Sequence, residues 1–176
     1  MIAKTWLLLT TVLFLSGNAW AQAEESEKEV AVVEVGAAAS QSLKGGGFSG
    51  GPTVAVEVTP IENRLELETG VTSLLTAHST EWDADFLFKK PWTLSRKVEF
   101  MAGAGPEWIH TNEHHISANA AGVEVIGDFM FWPSAKHKFG WYLEPGYDYS
   151  FGRGHEQSLG ISGGLLIAIT RRDTKH

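Results

Sequence analysis

Carboxylates at alternate positions are the first residues with chemical potential. Glu57, Glu66, Glu68, Glu81, Asp83, Asp85, Glu99, Glu107, Glu124, Asp128, Glu144 and Asp148 share one parity within their segments, with mostly apolar residues between them. In an extended chain this spacing gathers them on one face. Carboxylates held together there can attract or coordinate cations, and Lys89 is the clearest base on the same face. The plainer alternative is a hydrated, plugged interior in which hydrogen bonds hold these groups. A second set is His78, His110, His114, His115 and His155, in three polar stretches. Imidazole is a common transition-metal ligand, but these spacings are not those of a structural zinc site, and polar-loop histidines are ordinarily just solvated. A third is the pair His115 and Ser117, two residues apart on one strand face, where an imidazole can activate a hydroxyl. Asn119 lies nearby. The same face continues as Ala121, Val123, Val125, Gly127 and Phe129, so no carboxylate is present to orient the histidine. Gly45-Gly46-Gly47 lacks the Lys-Ser/Thr of a phosphate loop and reads as a surface turn.

The elements that position these groups show period two almost throughout. Ala31, Val33 and Val35 share a face. So do Val54, Val56 and Val58; Leu65, Leu67, Thr69 and Val71; and Trp82, Ala84, Phe86 and Phe88. The pattern continues with Val98, Phe100, Ala102, Ala104 and Trp108; Val123, Val125, Phe129 and Phe131; Trp141, Leu143, Tyr147, Tyr149 and Phe151; and Leu159, Ile161, Leu165, Ile167 and Ile169. Each segment has one apolar face and one polar or small face, the mark of a strand rather than a helix. These eight segments each provide the ~9–11 residues that a tilted strand needs to cross a bilayer. Turns are expected at 44–52, 60–63, 76–80, 91–96, 111–115, 133–138 and 152–157. The fold class predicted is all-β: an antiparallel up-and-down transmembrane barrel of about eight strands.

Composition agrees. The chain has 176 residues, a formal charge of -7 and no cysteine. One domain is expected, without disulfides or thiolate sites, and an acidic chain lacks the basic face of a nucleic-acid binder. Lys4, the apolar run Trp6–Leu15, and the small-residue boxes Ala19-Trp20-Ala21 and Ala21-Gln22-Ala23 read as a cleaved signal peptide over 1–23. The barrel domain is placed at 24–170 and a short basic tail at 171–176.

Aromatic placement selects the membrane. If the chain starts below and runs up and down, Phe88, Trp92, Phe100, Phe131, Trp132, Phe139 and Trp141 fall near the lower ends of their strands, and Trp82, Trp108, Tyr149 and Phe151 near the upper ends. Two aromatic bands are what the two lipid–water interfaces favour. Arg64, Lys90, Arg96, Lys97, Lys136, Lys138, Arg171 and Arg172 gather at the lower rim, and the histidines at the upper one. A soluble, lipocalin-like ligand binder would instead turn the apolar face inward.

With its signal peptide, its amphipathic strands, its proline-containing turns and the segment Pro145-Gly146-Tyr147-Asp148-Tyr149-Ser150-Phe151, the chain resembles the small outer-membrane β-barrel families, including the barrel domain of outer membrane protein A. The resemblance implies a bacterial outer-membrane location, with lipid and the barrel-insertion machinery as partners. It differs at the end: members often finish on an aromatic residue, whereas this chain closes with Asp173-Thr174-Lys175-His176. His115-Ile116-Ser117 is similar to the His-x-Ser pair of outer-membrane lipid A deacylases, which would imply a hydrolase acting through His115 and Ser117. The expectation is a monomer with a structural or accessory envelope role, without a catalytic site, a cofactor or a nucleic-acid partner. The alternatives are a small cation-selective pore or cation-binding barrel, the hydrolase, and the soluble binder.

Overall fold

In the computed structural model, residues 28–171 are described, apart from 46, 114, 115, 135 and 153. The expected signal peptide, the tail beyond 171, His114 and His115 lie outside the described residues. Eight strands follow in chain order: β1 (Lys28–Ser42), β2 (Phe48–Ile61), β3 (Leu65–Leu75), β4 (Ser79–Ser95), β5 (Val98–Glu113), β6 (Ile116–Phe131), β7 (Phe139–Ser150) and β8 (Gln157–Arg171). Each pairs antiparallel with its sequence neighbours, and β8 returns to β1 to close the barrel. Closure leaves no free sheet edge, which matters where no water is available to satisfy backbone groups.

Several strands run further than the turn signals suggest. The turn expected at 91–96 shrinks to Arg96 and Lys97, and Pro91 lies within β4, opposite Met101 of β5. The pairing of β3 with β4 extends no lower than Glu66 opposite Lys89. At Pro91, β4 therefore has a ladder partner on one side only, the setting in which a strand tolerates a residue without an N–H. In the same way the Gly-rich stretch forms strand from Phe48, pairing with Gln41.

Alternation then decides orientation. Val35, Val54, Val56, Val71, Phe86, Val125, Leu143, Leu165 and Ile167 are exposed on the outer wall. Trp82, Phe88, Trp92, Trp108 and Trp141 join them, towards the two ends. Glu34, Glu57, Glu68, Lys89, Glu107 and Asp128 are buried inside. An apolar outer wall of this extent is stable only against lipid, which contradicts the soluble-binder alternative. The aromatic bands contain one correction. Trp132, expected at the lipid interface, is 1% exposed. It follows the outward Phe131 at the end of β6, so period two turns it inward. There its indole Nε1 donates to Glu99 Oε2 at 3.3 Å, and its ring stacks on His137 with centroids 4.9 Å apart. With Val32, Met101, Met130, Tyr142 and Leu166 it forms a packed apolar cluster that fills the lower end of the barrel.

The closing seam depends on glycine. A Cβ on Gly164 would run into the backbone of Val35 and Gly36, and one on Gly36 would run into Gly163. The β1 and β8 backbones approach too closely there for a side chain. Gly164→Val is expected to destabilise the barrel by about 1–3 kcal/mol. A urea unfolding midpoint in lipid vesicles indistinguishable from wild type would contradict the close approach.

Candidate functional site

The interior is layered, and its chemistry is concentrated around Lys89. This side chain points inward from β4 because it shares a face with Asp83, Asp85 and Leu87, and it is 1% exposed. Its Nζ pairs with Glu68 of β3, with Asp128 Oδ2 of β6 at 3.1 Å, with Glu144 Oε2 of β7 at 3.2 Å and with Glu57 Oε2 of β2 at 3.4 Å. Glu34 of β1 is buried beside them. Four strands thus deliver carboxylates to one ammonium group, a fifth places Glu34 beside them, and among the described residues Lys89 is the only buried base. A lysine removed from water is held by such pairing and hydrogen bonding, which offset the loss of hydration.

Above this layer lies a small interior space of about 80 Å³, bordered by Glu34, Glu68, Asp83, Asp85, Glu107, Glu124, Glu144 and Asp148 and, among the described residues, by no basic one. Small inner-face residues, Gly70, Gly146 and Gly160 among them, leave it open. Some of these acids have local donors. Asp85 Oδ1 accepts from the Gly70 backbone N–H at 3.0 Å, and Asp148 Oδ2 from the Ser158 hydroxyl at 3.1 Å. Glu81 Oε2 accepts from the Thr111 hydroxyl at 3.0 Å, and Glu144 Oε1 from that of Ser162 at 3.3 Å. Asp83 Oδ1 and Glu107 Oε2 are buried without a hydrogen-bond partner among the described residues. Glu66 lies inward on β3, opposite Lys89, and Glu99 lies in the lower cluster against Trp132.

Glu34 was absent from the sequence-derived set. Its signal is present all the same: it lies between Val33 and Val35, so the alternation that turns those valines outward turns it inward.

The histidines do not converge among the described residues. His110 points outward from β5, stacks on Trp108 and contacts Asn119 Oδ1 through Nδ1 at 2.9 Å. His155, in the β7–β8 loop, meets the Tyr149 hydroxyl at 3.2 Å. His78 occupies the β3–β4 turn. The one group of potential metal ligands close enough to share an ion, among the described residues, is Glu34, Glu57, Glu68 and Asp128. Ser117 is exposed on β6 opposite Asn112, while His115 lies outside the described residues.

No protein-family model matches the chain, and no curated protein matches it in sequence. Solved structures do match in shape. The crystal structure of Neisserial surface protein A is similar with a TM-score of 0.62 and 11% identity, over 79% of this chain and 96% of that one. Ail, the attachment invasion locus protein of Yersinia pestis, aligns at 0.53 with 10% identity, over 81% of this chain and 99% of that one. The N-terminal barrel domain of Pseudomonas aeruginosa OprF aligns at 0.55 with 11% identity, over 80% and 100%. Fold, apolar outer wall and enclosed carboxylates together define a small eight-stranded β-barrel of the outer-membrane type. Its interior sets one buried lysine against a column of acids.

Proposed function

We propose that the chain serves as a structural or accessory protein of the bacterial outer membrane, spanning the bilayer as a closed barrel that conducts no ions. The carrying observation is the lower apolar cluster. Val32, Met101, Met130, Trp132, Tyr142 and Leu166 are each at most 3% exposed and come from both sides of the barrel. An eight-stranded barrel is just wide enough to be filled by its own side chains, and this layer fills it. Hydrogen bonds from Trp132 N to Lys97 O at 2.7 Å and from Ala168 N to Lys138 O at 3.1 Å carry the β5–β6 and β7–β8 ladders on to that end. The fold shared with other small envelope barrels supports the location, and the role proposed needs no catalytic group. Purified protein is expected to fractionate with outer membranes, to change gel mobility on heating as folded barrels do, and to give no reproducible conductance steps in planar bilayers. Regular cation-selective steps would replace this reading with that of a small pore. Release with periplasmic contents in the absence of detergent would remove the membrane role.

A further inference from the structure

We propose that Glu34, Glu57, Glu68 and Asp128 hold a divalent hard cation of the calcium type beside Lys89. This goes beyond the structural role, which stands whether or not an ion is bound.

Lys89 brings one positive charge to a layer that contains Glu34, Glu57, Glu68, Asp128 and Glu144. Buried carboxylates in such excess call for further compensation, from protons or from a second cation.

Each of the four residues offers a carboxylate oxygen, and these oxygens all lie within 4.8 Å of one another. Oxygens on opposite sides of a calcium ion at ~2.4 Å are about 4.8 Å apart, so the four are close enough to share one such ion. The donors are all oxygen, which favours hard cations over zinc or copper.

An independent observation is that the site contains unsatisfied atoms. Among the described residues Glu34 Oε1 and Asp128 Oδ1 have no hydrogen-bond partner, although their residues are 2% and 0% exposed. Asp128 meets Lys89 through its other oxygen, so Oδ1 is left for a second ligand. Buried acceptors without a donor are rare, and a bound cation satisfies them directly.

Access comes from above. The interior space shares Glu34 and Glu68 with the site and continues past Asp85, Glu124 and Asp148. A low-dielectric passage lined by one sign of charge concentrates counter-ions. Below the site the apolar cluster closes the barrel, so the ion enters and leaves by the same end.

The test uses the full-length protein, folded in detergent, stripped with a calcium chelator and dialysed against radioactive calcium in excess sodium. About one calcium per folded chain is expected. Glu34→Gln and Asp128→Asn, which preserve volume, are expected to weaken binding about tenfold or more, and Asp148→Asn, above the site, much less. Folding of each variant is read from its heat-modifiable band. Absence of saturable calcium binding by the wild-type chain would overturn the proposal and leave protons as the compensation. Binding unchanged in both site variants would overturn it too, placing the ion elsewhere. If neither variant folds, the wild-type chain decides. Calcium must raise its urea midpoint over that in chelator, because a ligand bound only by the folded state stabilises it; an equal midpoint would refute the site.

Discussion

Lys89→Met is expected to destabilise the barrel by about 3–5 kcal/mol, the range for removing one partner of a buried ionic group. Methionine fills much of the same volume, so the effect isolates charge from packing. The native ammonium reaches carboxylates on four other strands, and each of them is left facing the others when it is removed. Their mutual repulsion is weakly screened in the barrel interior. The check is equilibrium urea unfolding in lipid vesicles, followed by tryptophan fluorescence. A second variant sharpens it: adding Glu68→Gln to Lys89→Met removes one of the stranded charges and should recover part of the loss. A single substitution that lowers stability by less than about 1 kcal/mol would mean that the acids do not depend on Lys89, contrary to the range above.

Placing arginine on the outer wall tests the other half of the architecture. Val125 is 52% exposed near the middle of β6, between Ala104 of β5 and Tyr147 of β7. Arginine there would face acyl chains, and the expected destabilisation is about 2–4 kcal/mol at mid-membrane depth. Val58 also faces outward, but lies near the lower end of β2, opposite Leu67. At that depth the same change should cost about 0–1 kcal/mol, because a long cationic side chain reaches the headgroups. The depth dependence carries the argument. On a water-facing wall both arginines would be nearly neutral, so equal and small effects at the two positions would refute the lipid-facing assignment.

Period two was legible wherever a residue's neighbours were clearly apolar. The outward placement of Phe86 and Trp108 and the inward placement of Asp85 and Glu107 follow from adjacent side chains alone, because the extended backbone alternates them whatever the partner strand. Glu34 obeys the same rule, but the small residues Gly36 to Ala39 that follow blur the alternation around it. Trp132 shows the opposite failure. Its residue type suits a lipid interface, and only its parity after Phe131 puts it inside. The prolines at 60 and 91 read as turn signals, yet both fall within strands. What permits Pro91 is the missing partner on its β3 side, a property of the neighbour rather than of the local sequence.

By itself the sequence determined the class of fold, the face on which each carboxylate lies and the lipid-facing character of the wall, since alternation and hydropathy are local properties of an extended chain. Only the closed structure decided that Lys89 meets Glu68 across 21 residues of sequence, Asp128 across 39 and Glu144 across 55. Those meetings depend on strand register and on the tilt at which the barrel closes. Both are fixed by how eight strands fit around one axis, with Gly36 and Gly164 allowing the last seam to join, and no single segment contains that information.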